Sequence, residues 1–431
     1  MPQLSLQSPA RRLLAVAAGL AVLGVAAAGI VRAYQAGQAR AAWDAGALQR
    51  AVQLEPDDAE GWHRLGRWEE LSFTQGNLER AREHYRQATR LNPYDSRYWL
   101  DLANLLAVTG APQEAEAAVE HALRVDSHTS ATLWAAGNFW LRTAEPRRGF
   151  PYLRAALEAD PGLAPALIQS CHNAVRDPDV VLREVLPPRP RFLLVYLWLL
   201  VRQEEEAAAA RVWRTLVEMG GDFKAEQAMF YIDYLTDLGI MSMDAGPSTQ
   251  AWGDLKRLKL VPETGGEGEL LHNADLRQPI LNGGFDWRLV PYSDVSVSLG
   301  EGRPGTNLPS VTIRFSGEEN LFYHPFQQLV PVIPKTRYRL TAWMQTEGIT
   351  SDRGPSLAVG DAHSIHSDMA PARSPALVGT NDWHRVELEF TTGSNTQLVW
   401  LVIERHHSQR VDGRIRGVVR LSELSLRQVG P

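Results

Sequence analysis

Cysteine is almost absent from the chain: Cys171 stands alone. A single thiol excludes internal disulfides and any multi-thiolate metal site. It falls in a helical stretch, where it reads as a small buried hydrophobe rather than a nucleophile. Basic excess is also missing. The formal net charge is −6, which argues against nucleic acid as a partner. No phosphate loop, nucleophile elbow or metal-hydrolase motif occurs. Paired acids for glycoside hydrolysis need no motif, so Glu387, Glu389 and Glu404 keep a carbohydrate-active enzyme open as an alternative. They read as solvent-facing strand residues, and the main reading is not an enzyme. Adjacent histidines, His406 and His407, point to opposite faces of a strand and form no two-ligand clamp. Asp361, His363 and His366 share a loop without a fixed geometry.

Long apolar runs are scarce too, with one exception. Leu13–Val31 carries no charge and is preceded by Arg11 and Arg12. As a helix it would extend about 28 Å, close to the thickness of a bilayer core. A retained signal-anchor and a cleaved signal peptide, cut at Ala26-Ala27-Ala28, both fit; the length of the run favours the anchor. The short basic N-terminus then lies in the cytoplasm. The expected location is a single pass through a bacterial inner membrane, with the bulk of the chain in the periplasm or outside.

What the chain does have is repetition. Pro93, Ser127 and Pro161 recur at a step of 34, as do Ala81, Ala115 and Gly149, and Ala88, Ala122 and Ala156. Gly66, Ala103 and Gly137 step by 37 and then 34, which places a three-residue insertion before Gly76. A period of 34 with small residues at fixed places marks stacked helix–turn–helix units. Close helix crossings need those small side chains. Trp62, Leu65, Gly66, Ala81, Tyr85, Ala88 and Pro93 resemble the tetratricopeptide repeat most fully, and two further units follow to Pro161. The resemblance implies an interaction scaffold whose groove takes protein partners as an extended peptide or helix. Trp68 and Trp134 fall outside the family's usual core positions and are candidates for that groove. Gly76 and Gly110 are expected to end the first helix of their hairpins in a left-handed conformation.

Tyr34–Leu54 reads as a partial repeat joined to the apolar run. Beyond Pro161 the period fades while helices continue over Pro165–Val175, Asp179–Leu186, Arg191–Gln203, Glu204–Met219 and Phe223–Leu238. The Pro187-Pro188-Arg189-Pro190 run is a hard break. Phe192–Val201 is apolar nearly all round but too short to span a bilayer, so it reads as a buried helix. Residues 239–270 change to Met, Gly, Pro, Ser and Thr, with a short helix around Trp252–Leu258, and are expected to link two domains.

From Leu271 the period becomes two. Val311–Phe315 and Val386–Phe390 alternate cleanly, and Tyr338–Ala342 and Leu398–Ile403 read as further strands, separated by turn residues. Short, evenly spaced strands imply an antiparallel β-sandwich or jelly roll. Leu281-Asn282-Gly283-Gly284-Phe285-Asp286 resembles the opening strand of carbohydrate-binding modules with the galactose-binding-like jelly-roll fold. Gln328–Val332 and Arg420–Leu426 resemble their middle and closing strands. That resemblance implies polysaccharide or oligosaccharide binding and a structural calcium ion, with Asp286 and Glu423 as side-chain ligands. The family's paired terminal aspartates are here Ser422 and Glu423, leaving a thin cage for calcium.

A sugar ring packs on flat aromatic surface, with polar groups for its hydroxyls. Alternation puts Arg339, Thr341, Trp343 and Gln345 on one polar face. It also pairs Trp400 with Glu404, and Tyr323 with Gln327. These residues are the candidate glycan contacts, against the simpler reading that Trp343 and Trp400 fill a second packing layer. The whole chain thus reads as a multidomain α-then-β protein: an apolar helix (1–34), a repeat solenoid (35–238), a linker (239–270) and a jelly roll (271–431). The role expected is a membrane-anchored, non-catalytic scaffold in polysaccharide synthesis or export. The alternative is a protein-interaction scaffold whose β domain is purely structural.

Overall fold

The structure is a computed structural model. It describes residues 9–430 apart from 73–76, 144, 264, 321, 364–366 and 412. The chain forms two compact units, Met1–Pro187 and Pro188–Pro431, which meet inside the proline run.

The first unit is helical. Helix α1 (Pro9–Ala41) runs without a break from the apolar stretch into the first hairpin. It is long and apolar enough to cross a membrane by length and composition, and its apolar part is fully exposed. Asp44 caps α2 (Ala45–Leu54) by accepting from the Ala47 amide at 2.9 Å. The tail of α1 and α2 pack as a hairpin, burying Ala36, Leu48 and Ala51. The hairpins α3 (Ala59–Leu71) with α4 (Leu78–Leu91), α5 (Ser96–Val108) with α6 (Pro112–Val125), and α7 (Ser130–Leu141) with α8 (Phe150–Ala159) follow. Then come α9 (Ala164–Val175) and α10 (Pro178–Val180), which continues as a π turn over Val181–Val185.

The small residues at the repeat step sit where helices cross. A Cβ on Gly66 would fall 2.7 Å from the Tyr85 ring, and one on Gly137 would fall 2.4 Å from Leu153. Ala81, Ala88, Ala115, Ala122 and Ala156 are all fully buried. Trp62 and Trp99 hold the same role one repeat apart, each indole N–H donating to the carbonyl of the preceding turn proline, Pro56 and Pro93. Trp68 packs with Trp62 on Leu48, Val52 and Leu65, so it serves the core and not the groove. Gly110 takes φ +82°, as expected of a helix end; Gly76 and Ala144 lie outside the described residues. Cys171 is buried, and burial pushes its thiol up to about 12, so it stays protonated and inert.

The second unit joins helices to sheets. Helices α11 (Pro190–Arg202), α12 (Glu206–Met219), α13 (Met229–Ser242) and α14 (Gly246–Arg257) pair in sequence. Helix α11 buries Phe192, Leu193, Tyr196 and Leu197 as a core helix. Within 239–270 the short helix expected around Trp252 is α14, which begins earlier, at Gly246, and buries Trp252 and Leu255.

Ten strands follow: β1 (Trp287–Leu289), β2 (Val295–Glu301), β3 (Pro309–Ser316), β4 (Tyr323–Pro331), β5 (Arg337–Ile349), β6 (Ser356–Asp361), β7 (Ala372–Arg373), β8 (Gly379–Thr391), β9 (Leu398–Arg405) and β10 (Arg416–Gln428). They make two five-stranded antiparallel sheets, one ordered β1-β4-β9-β6-β7 and the other β2-β3-β10-β5-β8. Both contribute to one apolar cluster, with Trp287, Phe326, Val399 and Leu401 from the first and Ile313, Leu340, Val386 and Leu421 from the second.

Leu281–Asp286 differs from the expected opening strand. It forms a turn, with Asn282 and Gly284 at φ +56° and +58°, and the strand begins only at Trp287. Two left-handed residues so close together cannot continue a pleat. This turn meets the helices. Asp233 of α13 accepts from the Gly284 amide at 2.8 Å and from the Arg288 guanidinium at 2.6 Å. Trp252 packs edge-on against Phe285 and His272.

Candidate functional site

In the first unit, polar residues recur on the A helices. Asn104 of α5 and Asn138 of α7 are one repeat apart, and Asn173 of α9 follows one residue off the step. They line a groove of about 640 Å³ with Ala135, Leu141, Arg142 and Ser170. Arg142 donates to the Asn104 side-chain oxygen at 2.5 Å, which orients that amide. The lining carries no carboxylate. Primary amides offer both a donor and an acceptor, the complement of an extended backbone. The asparagines follow the repeat step in the sequence, yet a ladder of them becomes visible only once the helices stack. The Trp134 indole N–H is buried and has no hydrogen-bond partner among the described residues.

In the second unit the sheets have outward faces of different character. Arg339, Thr341, Trp343 and Gln345 do share the outer face of the β2-β3-β10-β5-β8 sheet, while Leu340, Ala342 and Met344 are buried in the core. The face of Trp343 is covered. Arg303, from the loop after β2, lies with its guanidinium carbon 4.0 Å from the ring centroid. Glu423 holds Arg303 there at 2.8 Å. Arg339 is committed to Glu387 and Glu389, at 2.9 and 2.6 Å, and hydrogen bonds from Arg339 and then Arg337 hold Glu389 below the usual carboxylate range. Gln345 accepts from Arg420.

The outer face of the β1-β4-β9-β6-β7 sheet is partly covered, with Leu329 and Ala358 buried on it. Gln327, Trp400, Val402 and Arg288 are half-buried there. Trp400 stands across from Gly360, and no atom lies within 4 Å of where a Cβ on that glycine would sit. The Arg288 guanidinium lies 5.7 Å from the Trp400 ring centroid. Glu404 is almost fully buried on the same face, gripped by Arg373 at 2.5 Å and His406 at 2.9 Å. His324 is nearby, hydrogen-bonded to the Tyr292 hydroxyl at 2.9 Å, and burial holds it below the ordinary histidine value. Phe322 contacts both His324 and His406.

Three sequence expectations are corrected by this geometry. Glu404 does not face solvent: it is almost fully buried and paired with Arg373 and His406. Tyr323 does not share a face with Gln327. The register shifts between Tyr323 and Phe326, so the strict alternation breaks and Tyr323 turns into the core. It is fully buried, with its hydroxyl donating to Asp294. Asp286 and Glu423 do not fit a shared calcium site either. Glu423 is neutralised by Arg303 on the outer face of one sheet, whereas Asp286 is buried beside β1 of the other and accepts from the Leu281 amide at 2.7 Å. No group of three His, Cys, Asp or Glu capable of holding a metal occurs among the described residues. Asp286 Oδ1 is left without a partner there, and burial pushes this carboxyl up to about 6. Asp361, from the histidine loop, accepts from the His363 amide, Ser367 and Thr396. His366 lies outside the described residues.

Residues 72–136 match the tetratricopeptide repeat family. Among solved structures, the chain is similar to a Thermobaculum terrenum O-GlcNAc transferase at 23% identity, over 31% of this chain and 26% of that one, with a TM-score of 0.26. It thus spans about a quarter of that enzyme's length. It is also similar to Pseudomonas aeruginosa PilF at 18% identity, over 46% of this chain and 91% of that one, TM-score 0.27. A structure described as CBM4 matches at 11% identity, over 37% of this chain and 99% of that one, also at 0.27. No curated protein matches the sequence.

Proposed function

We propose that this protein is a non-catalytic, membrane-anchored scaffold of the bacterial envelope. Its repeats hold an extended segment of a protein partner, and its two sheets form a jelly-roll sandwich that contacts a glycan during polysaccharide synthesis or export. The observation that carries the reading is the amide-lined groove of Asn104, Asn138 and Asn173 on successive repeat helices. Helix α1 supports the anchor, and the apolar cluster shared by both sheets supports the sandwich.

For the glycan, Trp400 is the better platform. Its neighbour Gly360 leaves space, and Gln327 offers an amide on the same face, while Arg288 and Arg373 are held by Asp233 and Glu404. Trp343 would first have to shed Arg303.

The peptide arm is tested by probing an array of random-sequence peptides with labelled full-length protein. Amide recognition of backbone gives broad, sequence-tolerant binding that the pair Asn104→Leu and Asn138→Leu abolishes. Unchanged binding by that pair removes the groove from the proposal. The glycan arm is tested by affinity electrophoresis in gels cast with neutral and acidic polysaccharides. Retardation lost in Trp400→Ala but kept in Trp343→Ala supports sugar recognition on the first sheet. If no polysaccharide retards the protein, the β domain is structural and the chain is a protein scaffold alone. Glycan turnover that disappears in Glu404→Gln would instead make the protein an enzyme.

A further inference from the structure

Where α1 leaves its apolar stretch, it and α2 enclose a groove of about 650 Å³. Tyr34, Gln35, Gln38, Arg50, Gln53 and Leu54 line it, together with alanines. In a chain of net charge −6, this lining has one guanidinium, three primary amides and a phenol, and no carboxylate. Arg50 is exposed, and its hydrogen bond among the described residues is a 3.3 Å contact from Nε to the Gly46 carbonyl. The guanidinium NH2 groups, which form the fork suited to a phosphate, take no part in that bond.

The position matters as much as the chemistry. With a rise of ~1.5 Å per residue, Tyr34 lies ~4.5 Å and Gln38 ~10 Å past Val31, the last residue of the apolar run. A bilayer's polar layer is about 5–8 Å deep on each side. Helix α2 runs back along α1, and Arg32 of α1 donates from Nε to the Leu54 carbonyl at its end. That bond fixes the two walls of the groove at this depth.

We propose that the groove between α1 and α2 binds the phosphate of an anionic phospholipid headgroup, with Arg50 as its counter-charge and Gln35, Gln38 and Gln53 donating to the ester and glycerol oxygens. The proposal rests on the membrane-anchored reading and adds a lipid preference to it. A basic side chain near an anionic surface gains ~1 kcal/mol, which is about a five-fold preference.

The test uses full-length protein in nanodiscs of phosphatidylcholine and phosphatidylglycerol in equal amounts, with bound lipid counted by native mass spectrometry after release. Phosphatidylglycerol is expected to exceed phosphatidylcholine about five-fold among retained lipids. Arg50→Ala should bring the ratio close to one, Gln35→Leu with Gln53→Leu should lower it, and Arg90→Ala on exposed α4 surface should leave it alone. A wild-type ratio near one, or a ratio indifferent to Arg50→Ala, overturns the inference while leaving the anchor standing. Stripping of the retained lipid by an equal concentration of inorganic phosphate overturns the lipid assignment in favour of a soluble anion. Failure of the chain to enter nanodiscs at all overturns the anchor and the inference together.

Discussion

Replacing Gly137 with alanine tests whether the 34-residue period is a packing requirement. An alanine inside a helix is normally favoured over glycine by ~1 kcal/mol. Here the new Cβ lies 2.4 Å from both Cγ and Cδ2 of Leu153, which is itself fully buried. Carbon pairs rest at ~3.5–4.0 Å, so α7 and α8 must separate by more than ~1 Å or Leu153 must leave its rotamer. Overpacking of this kind costs ~1–3 kcal/mol, which exceeds the propensity gain and leaves a net loss of ~1 kcal/mol. The assay is urea unfolding of the first unit's helices followed by circular dichroism, in a double-mutant cycle. Leu153→Ala by itself should cost ~2–5 kcal/mol. In the Gly137→Ala background it should cost at least ~1 kcal/mol less, because the clash is relieved. Gly253→Ala is the control, since that exposed glycine of α14 has no atom within 4 Å of the new methyl. It should stabilise the second unit by ~0.5–1 kcal/mol. Stabilisation by Gly137→Ala, or zero coupling to Leu153, would refute the close-crossing argument.

Two buried ionisable groups in the second unit should oppose each other in pH dependence. Asp286 is raised to about 6 by burial, so the stability it contributes in acid is lost as pH climbs from the unfolded value of ~3.9 through 6. His272 is lowered to about 4, first by burial and then by Lys256, so its contribution is present above ~6.5 and lost as pH falls toward 4. Each spans about 3 kcal/mol at most, and wild-type melting should be nearly flat between pH 4 and 6.5. Asp286→Asn should melt higher as pH rises over that window, and His272→Phe should melt lower; equal slopes in both variants would contradict the assignment. Asp233→Ala removes the acceptor for Arg288 and for the Gly284 amide, and should cost the second unit ~1–3 kcal/mol with faster proteolysis around residues 281–286. Arg405 is fully buried and donates to Ser351 at 3.0 Å and to the Gly413 and Arg353 carbonyls. A lysine cannot reach all three, so Arg405→Lys should lose ~2 kcal/mol or more and expose residues 350–353 and 408–414 to protease. Tm and cleavage unchanged from wild type would show that this guanidinium does not tie those loops down.

The amino-acid sequence by itself determined the local periods. The step of 34 set the helix crossings at Gly66, Gly137 and Ala156, because a methyl group more or less at a crossing is felt at once. The alternation in Arg339–Gln345 set which side chains leave the sheet, because a pleat has a period of two. The apolar run from Leu13 to Val31 set the exposed stretch of α1, since length and absence of charge are written in order along the chain.

Only the tertiary structure decided what those faces meet. Nothing local announces that Arg303 covers Trp343, because the loop and the strand are forty residues apart and joined only by sheet pairing. The bulge after Tyr323 slips the pleat by one, and from there an alternating pattern read by eye assigns the wrong face. A short helix around Trp252 is legible within 239–270, but its packing against Phe285, in a turn further along the chain, is not. The amides of Asn104, Asn138 and Asn173 become a ladder only when three hairpins stack. Periodicity reports how a segment presents its side chains; the partner on the other side is chosen by contacts between segments distant in the chain.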